Sequence, residues 1–378
     1  MRELVVVSLE RWDDVWRRNQ YLVDGLLRAD SSLRVLFVEP AADPLHDLMT
    51  RRAPTRGHGP RAVGDTGRLW VFRPVKTLPR RIDRHTDERL AHSIARAADN
   101  IGFVSPMLWL NEPGLATLVD MTGWPPLYDM TDDWLAADRP QRELDRLARG
   151  EAILLRRAGA VIACSPELVR RKSADRVGTI ELIPNAVDVV AFRSARPRPI
   201  DLPPAAVVYV GTLHTDRLDV ELCVRVASAL SDRGLLVLVG PNALLPADTE
   251  TLRNAGVLVL GPRAHDDVIG YLQHADVLVV PHVVTPFTDS LDPIKLYEYA
   301  AVGRPVVSTP VAGFRDSGYP SVCVVPASEL PTAVATALTA DDHPVSRRSE
   351  HPVPDWSDRT RAMRAVLDRL ADTGKNER

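Results

Sequence analysis

The sequence has little lysine, few cysteines and no long apolar run. Its 378 residues include 47 lysines and arginines together, and only four of these are lysine. The three cysteines are odd in number and far apart, which excludes a disulfide framework and argues against a cysteine-rich zinc site. No stretch approaches the roughly 18 apolar residues of a transmembrane helix. The chain opens into a strand-like run without a signal peptide, so a cytoplasmic protein is expected.

Net charge and length restrict the class of protein further. The formal net charge is −3 at pH 7, so the chain has no global basic field, and nucleic acid is not expected as a partner. Hydrophobic residues make up 45% of the composition, which is enough to form the cores of two ordinary domains at this length.

Short runs of β-branched residues alternate with helical patterns along the whole chain. This alternation is typical of βαβ units and predicts an α/β protein with parallel sheets. The predicted strands are Glu3–Ser8, Arg34–Glu39, Leu69–Arg73, Met107–Leu110, Leu127–Met130, Ala160–Cys164, Ala206–Val210, Leu235–Val239, Val257–Leu260, Val277–Val280, Pro305–Ser308 and Val322–Val325. The predicted helices are Trp16–Arg28, Asp87–Ala98, Gln141–Arg157, Leu218–Leu230, Asp266–His274, Ile294–Ala301, Glu329–Leu338 and Trp356–Ala371.

The predicted domain boundaries follow from composition. A proline- and arginine-rich segment at 193–204 is predicted to link a domain of residues 1–192 to a second domain of residues 205–350. The remaining residues, 351–378, carry the last helix. Apart from Leu69–Arg73, the stretch from Pro40 to Arg84 is predicted to be mostly loop. Ligands of such folds bind at the carboxyl ends of the strands, and two facing sheets would enclose a cleft.

The segment from Thr288 to Thr309 has the most residues that could carry chemistry. Asp292 is predicted to cap a helix, with Pro293 in its first position and Gly303 as the left-handed residue that ends it. Lys295 lies in the first turn, where a cation opposes the helix dipole. A diphosphate, however, would bind both the lysine and the free N–H groups of the helix. A surface ion pair with Glu298 is the alternative interpretation.

The run Pro293-x-Lys295-x-x-Glu298-Tyr299-x-Ala-x-Gly303-x-Pro305-Val-Val resembles the donor-site helix of GT-B glycosyltransferases in retaining family 4. The resemblance is strongest to a bacterial branch that includes teichuronic acid, capsule and exopolysaccharide transferases. It implies two doubly wound Rossmann-like domains that face each other across a cleft, and transfer of a sugar from a nucleoside-diphosphate sugar with retention. It also implies that Lys295 holds the diphosphate and that Glu298 accepts hydrogen bonds from the ribose.

Other segments resemble the same branch, and the resemblance is weakest over residues 41–105. They are Ser8–Gln20, Tyr128–Trp134, Ala163–Leu168, Ile183–Asp188, Val208–Leu222 and the helix from Trp356, which would pack back on the first domain. Three positions depart from the family pattern. Ser290 replaces the usual sugar-binding glutamate, so Asp289, Ser290 and Asp292 stay open for that contact. Thr212 replaces the arginine after Gly211, and Arg217 is the nearest cation that could replace it, the alternative being an ordinary arginine at the start of a helix. Trp12-Asp13-Asp14 replaces a glycine pair.

The resemblance assigns site residues to both domains. His282 is a candidate for the donor cleft and Arg263 for the base side, the alternative for Arg263 being an ordinary turn. Asp132 is a candidate for orienting a hydroxyl, the alternative being a helix cap. The predicted catalytic residues are Lys295, Arg217, Asp132 and Asp13, and the acceptor-binding residues are Trp12, Asp13, Asp14 and Asp132. The predicted donor-binding residues are Gly211, Thr212, Arg263, His282, Ser290, Asp292, Pro293, Ile294, Lys295, Leu296 and Glu298.

Neither a metal nor a cofactor is expected, since a helix terminus and cations would neutralise the diphosphate of the co-substrate. The acceptor is either a lipid-linked or polysaccharide precursor or a small natural product. The arginine-rich stretch 51–84 either touches an anionic membrane, which would place the protein at the inner membrane surface, or is a solvated loop. Two alternatives stay open: a sugar-nucleotide 2-epimerase of the same fold, and a two-domain binding protein without activity.

Overall fold

The computed structural model describes residues 2–13, 16–49, 53–340 and 352–376. The chain divides into two compact units. Unit 1 comprises Met1–Pro184 together with Ser357–Arg378, and unit 2 comprises Asn185–Trp356. Each unit is built around one sheet with its own buried core.

The sheet of unit 1 has eight strands. They are β1 (Arg2–Val7), β2 (Leu33–Val38), β3 (His58–Val63), β4 (Leu69–Arg73), β5 (Met107–Leu110), β6 (Pro126–Met130), β7 (Ala160–Ala163) and β8 (Glu181–Leu182). Their order is β3-β4-β2-β1-β5-β6-β7-β8. The pair β3–β4 is antiparallel and the other neighbours are parallel.

The sheet of unit 2 has six strands whose neighbours all pair in parallel. They are β9 (Ala206–Val210), β10 (Leu235–Val239), β11 (Leu258–Gly261), β12 (Val277–Val280), β13 (Val306–Ser308) and β14 (Val322–Val324). Their order is β11-β10-β9-β12-β13-β14. The central strands are apolar because both faces of a parallel sheet are covered.

Helices connect the strands in both units. They are α1 (Arg18–Ala29), α2 (Pro44–Met49), α3 (Thr86–Asn100), α4 (Thr117–Thr122), α5 (Gln141–Arg157), α6 (Pro166–Lys172), α7 (Val189–Arg193), α8 (Val220–Leu230), α9 (Pro246–Asn254), α10 (His265–His274), α11 (Ile294–Val302), α12 (Leu330–Thr339) and α13 (Trp356–Asn376). Within the described ranges, none of them combines the length and hydropathy that crossing a bilayer requires.

Both sheets contain a point at which the strand order reverses. In unit 1, β1 lies between β2 and β5, and in unit 2, β9 lies between β10 and β12. Chain segments that leave neighbouring strands at such a point depart in opposite directions and leave a crevice at the carboxyl edge. The loops after β1, β9 and β12 are therefore the places where a ligand site is expected.

The region from Pro40 to Arg84 corrects the prediction of a loop. It contains α2 and β3 in addition to the predicted β4. Gly59 and Pro60 have low strand propensity, so β3 carries no strand signal of its own. It forms because it is an edge strand whose pairing with β4 supplies the hydrogen bonds.

The predicted linker 193–204 lies on unit 2, and the chain divides earlier, between Pro184 and Asn185. The backbone N–H of Arg196 donates to Gln273 Oε1 at 2.9 Å, and Leu202 is buried in the core of unit 2. These contacts hold the segment although its composition is that of a linker. At the other end of the chain, α13 belongs to unit 1 from Ser357 onward.

Candidate functional site

The carboxyl edge of the second sheet gathers the predicted donor residues. Two backbone hydrogen bonds tie the loop after β9 to the chain after β12: Asp219 N–H to the Pro281 carbonyl at 2.9 Å, and Val283 N–H to the Arg217 carbonyl at 2.8 Å. This arrangement places Arg217 beside His282, at the crevice where the strand order reverses.

Close backbone packing explains why Gly211 follows β9. Its φ is +147°, and a Cβ at this position would lie 2.4 Å from Lys295 Nζ and 2.6 Å from Lys295 Cε. Gly240, at φ +141°, is similarly constrained, since its Cβ would lie 2.2 Å from the Gly211 carbonyl oxygen. Both positions need a residue without a side chain. The Lys295 side chain therefore lies directly against the backbone of the Gly211 loop.

Lys295 is a half-buried cation that lies against an aromatic ring. Its Nζ lies 5.2 Å from the centre of the Tyr209 ring. Among the residues that the structure describes, no carboxylate lies within ion-pairing distance of it, so the predicted alternative of a surface ion pair with Glu298 is not formed. Burial lowers the pKa of Lys295, Arg217 lowers it further, and Glu298 opposes the shift. Burial likewise raises the pKa of Glu298, and Lys295 opposes that shift.

Arg217 supplies a second cation at the same edge. Its guanidinium stacks over the Phe287 ring at 5.5 Å, and its Nε lies 3.5 Å from Asp216 Oδ1. Arg217 and Lys295 repel each other, which is one reason why the pKa of Lys295 is lowered. Two cations held this close favour an anionic ligand that can offset their repulsion.

His282 is buried behind Tyr209. Its Nε2 lies 3.0 Å from Tyr209 Oη, and its carbonyl oxygen accepts a hydrogen bond from Thr309 Oγ1 at 2.8 Å. Burial lowers the pKa of His282 well below its usual range, with further contributions from Lys295 and Arg217. The ring is therefore neutral, and its direct role is to support Tyr209 under the Lys295 ammonium.

The helix α11 begins at Ile294, as the predicted bounds Ile294–Ala301 have it, so Pro293 precedes the first helical position instead of occupying it. Pro293 is its N-cap, so the predicted cap role of Asp292 is wrong, although the helix does end before Gly303 as predicted. Asp292 instead accepts the hydroxyl of Tyr297 at 2.7 Å and the backbone N–H of Asn185 at 2.5 Å. The Asp292 carboxylate therefore binds donors of Tyr297 and Asn185 and does not cap the helix.

The three residues left open for the sugar contact differ in environment. Ser290 is fully buried, and its hydroxyl donates to the Phe287 carbonyl at 2.7 Å. Asp289 is half-buried and pairs with Arg315 at 2.8 Å. Arg315 is a cation that the sequence does not single out, because nothing in its local pattern places it next to Asp289.

The remaining predicted donor residues occupy varied positions. The Arg263 guanidinium contacts Asp201 Oδ2 at 2.7 Å and Tyr271 Oη at 3.0 Å, so its donors already have partners within unit 2. Leu296 is buried in the core of unit 2. The others lie nearer solvent: Thr212 is exposed, whereas Pro293 and Ile294 are half-buried.

In unit 1, a buried ion pair lies at the carboxyl edge of the sheet. Arg18 at the start of α1 contacts Asp129 at the end of β6 through two hydrogen bonds, of 3.1 and 3.2 Å. The Trp109 indole N–H also donates to Asp129, at 3.2 Å. Asn19 extends the network to Asn111 at 2.7 Å. Sequence reasoning missed this network, and its local signal is the run of three polar residues, Arg18, Asn19 and Gln20, that opens α1.

Glu10 is the second feature that sequence reasoning missed. Burial raises its pKa to about 7, Arg17 opposes the shift and Asp132 adds to it. Within the described ranges, its buried Oε2 has no hydrogen-bond partner. Asp132, a predicted acceptor residue, is half-buried and accepts from Thr131 Oγ1 at 3.1 Å. The two carboxyl groups are thus close enough to influence each other's charge.

The other predicted acceptor residues lie in the loop after β1. Trp12 is half-buried, its N–H donates to Glu39 Oε1 at 3.0 Å, and its ring lies 5.0 Å from that of Phe37. Asp13 is exposed and lies 3.4 Å from Arg17. Asp14 lies outside the described residues.

The chain is similar in sequence to known glycosyltransferases. Residues 204–340 match the family model described as "Glycosyl transferases group 1". The chain is 25% identical over 333 residues to TuaH of Bacillus subtilis (strain 168), which is described as a teichuronic acid biosynthesis glycosyltransferase; the match covers 81% of this chain and 80% of TuaH.

Two solved structures show the same fold. Sucrose-phosphate synthase from Thermosynechococcus elongatus has a TM-score of 0.68 and 18% identity, covering 99% of this chain and 100% of that one. Anabaena HepE, solved in complex with UDP and glucose, has a TM-score of 0.62 and 14% identity, covering 97% and 99%. The predicted α/β fold of the GT-B type is confirmed.

Proposed function

We propose that unit 2 binds the diphosphate of a nucleotide-sugar donor at Lys295 and Arg217, and that the sugar passes to an acceptor hydroxyl with retention. The similarity of the chain to glycosyltransferases of the group 1 type supports this proposal. One observation carries the proposal. Lys295 is half-buried, lacks a carboxylate partner in the described chain and lies against the Gly211 loop at the start of α11. Free N–H groups at the helix terminus add to the positive potential.

The chemistry that these residues perform is electrostatic. When the sugar leaves the donor, negative charge grows on the diphosphate, and a fixed cation in a site shielded from water stabilises that charge strongly. Binding also relieves the repulsion between Lys295 and Arg217 and raises the lowered pKa of the lysine. Tyr209 and the neutral His282 hold the floor of the site beneath the ammonium group.

A donor screen tests the proposal directly. Thermal unfolding of the intact chain with UDP-, GDP- and dTDP-sugars is expected to show a higher Tm for one nucleotide family, because ligands that bind only the folded state stabilise it. Product analysis with the donor alone then separates transfer from epimerisation at the sugar. If no nucleoside diphosphate or nucleotide sugar shifts the Tm or binds in calorimetry, the proposed function is wrong.

Glu298→Gln is expected to raise the donor KM about tenfold with a smaller change in kcat. We assign Glu298 to the ribose hydroxyls, and a contact that is made equally in ground and transition states contributes to binding rather than to the chemical step. Steady-state kinetics and calorimetry with the nucleoside diphosphate measure the effect. Glu250→Gln, an exposed carboxylate on α9, is the matched control and should change neither quantity. Unaltered nucleotide affinity in Glu298→Gln would refute the ribose assignment.

Activity is expected to persist in EDTA. In the proposed site, Lys295, Arg217 and the α11 terminus take the role that a divalent cation has in metal-dependent transferases. The measurement is the initial rate before and after exhaustive chelation, with Mg²⁺ and Mn²⁺ added back. Loss of activity that either metal restores would overturn the metal-independent mechanism while leaving the donor assignment intact.

The acceptor side is assigned to unit 1. Trp12, Asp13 and Asp132 stay candidates for acceptor contacts, and Glu10 joins them as a carboxyl group whose buried oxygen lacks a hydrogen-bond donor in the described chain. The similarity to TuaH favours a lipid-linked or polysaccharide precursor as acceptor, with a small natural product as the alternative. The anomeric proton coupling in the product's NMR spectrum decides between retention and inversion.

A further inference from the structure

In unit 1, the residues around Ala42 lie beside the residues around Val75. Ala42 and Val75 form a parallel bridge, with hydrogen bonds of 2.8 Å from the Ala42 N–H to the Pro74 carbonyl and from the Lys76 N–H to the Ala42 carbonyl. Asp43 adds an ion pair with Lys76. These contacts hold the start of the segment 75–82 beside the two residues that precede helix α2.

Helix α2 and the segment 75–82 expose large apolar side chains. Leu48 is 66% exposed, Met49 67% and Ile82 66%. Leu45, Val75 and Leu78 are also exposed, and α2 has no buried residue at all. Grouped exposed apolar side chains of this size mark an interaction site, because leaving them in water costs free energy that the fold does not recover.

Exposed arginines lie in and beside the same parts of the chain. Arg81 belongs to the segment 75–82, Arg84 follows it by two residues, and Arg56 lies between two contacts that anchor its neighbours, Thr55 N–H to Asp47 Oδ2 at 2.7 Å and the packing of Gly57 on Val75. All three arginines are exposed, and in the described parts of the chain none of them has a carboxylate partner. We call these arginines and the exposed apolar side chains of α2 and 75–82 the basic apolar surface.

We infer that the basic apolar surface docks on an anionic lipid bilayer. Apolar side chains enter the boundary between headgroups and acyl chains, while arginines contact lipid phosphates, and only a bilayer offers both environments side by side. A soluble polyanion matches the arginines but leaves Leu48, Met49 and Ile82 in water. The net charge of the whole chain is −3, so attraction to an anionic membrane must come from a local surface rather than from the average charge.

This inference does not depend on the reaction that the protein catalyses. Docking would bring unit 1, which we assign to the acceptor, to the surface where a lipid-linked acceptor is held. A membrane-binding assay without donor or acceptor therefore tests the surface alone. Loss of the proposed donor site would leave the result of that assay unchanged, and loss of membrane binding would leave donor binding unchanged.

The test is co-sedimentation of the full chain with vesicles of phosphatidylcholine alone or mixed with phosphatidylglycerol. We expect binding only to the anionic vesicles. The triple variant Arg56→Gln/Arg81→Gln/Arg84→Gln should weaken it roughly a hundredfold, since each arginine near an anionic surface contributes about fivefold. Leu48→Gln/Met49→Gln/Ile82→Gln should weaken it at least tenfold and leave the Tm nearly unchanged, because each of these residues is 66–67% exposed.

Matched controls change the same residue types elsewhere. Arg142→Gln/Arg225→Gln/Arg253→Gln removes three exposed arginines, and Val104→Gln/Val177→Gln/Ile200→Gln removes three exposed apolar side chains. Both control variants should bind like the unaltered chain. The inference is overturned if the unaltered chain does not bind anionic vesicles, if the control variants lose binding equally, or if the chain binds soluble polyphosphate but not vesicles.

Discussion

Lys295→Ala is expected to lower kcat/KM by about 10²- to 10³-fold, the usual cost of removing one fixed group that stabilises charge in a transition state. The affinity for the nucleoside diphosphate should fall by roughly 10- to 150-fold, since a charge-assisted contact contributes about 1.5–3 kcal/mol. The fold should persist, because Lys295 donates to no described residue. Steady-state kinetics and calorimetry measure both effects.

A second variant separates charge from packing. Lys295→Met keeps an unbranched side chain against Gly211 and Tyr209 but removes the ammonium group. It should lose as much activity as the alanine variant if charge is the important property. Arg225→Ala, which removes an exposed cation from α8, is the matched control and should retain full activity. Normal donor affinity in both Lys295 variants would remove the centre of the proposed function.

Asp129→Ala is expected to lower the free energy of unfolding by about 3–5 kcal/mol, because it leaves the Arg18 guanidinium buried without its counter-charge. Arg18 is only 3% exposed and Asp129 fully buried, so water cannot readily replace the lost partner. Urea denaturation at neutral pH measures the change. The loss should appear in unit 1, which contains both residues.

Two further variants show whether that loss comes from the unpaired buried charge. Replacing both partners, as Arg18→Leu/Asp129→Leu, should cost less than Asp129→Ala alone, since no buried charge then remains unpaired. Arg28→Ala breaks the ion pair with Asp24 on the same helix, where Arg28 is 78% exposed, and should change stability little. If the double variant were the least stable, the pair would contribute net stability rather than only avoid a penalty.

The strands of unit 2 show what the sequence predicts well. Ala206–Val210, Leu235–Val239 and Val277–Val280 have the bounds that the β-branched runs predict. Such strands are buried on both faces, so each is a continuous apolar run bounded by turn residues, and the signal is entirely local. The structure of β3 was not predictable in this way, because its hydrogen bonds come from β4 rather than from any preference of its own residues.

The candidate site divides along the same line. Lys295 could be identified as a candidate ligand-binding residue, because a lysine in the first turn of a helix conflicts with the helix dipole and this conflict is visible in the sequence. Arg18 and Asp129 were not, since 111 positions separate them and only the folded sheet makes them neighbours. Glu10 was missed for a related reason: its raised pKa arises from burial, which no local pattern reports. Asp292 was misassigned because helix boundaries are uncertain by a residue or two.

Unit 1 is formed from two separate stretches of the chain, and this affects how the protein folds during synthesis. Unit 2 consists of one uninterrupted stretch, whereas unit 1 needs residues 357–376, the last to be translated among those described. Two side chains of this final helix pack against glycines of unit 1: Thr360 packs on Gly25, and Leu370 packs on Gly159. Domains generally fold as they emerge from the ribosome, the N-terminal one first. In this protein we expect that order to be reversed, with unit 2 complete while unit 1 still lacks its last helix.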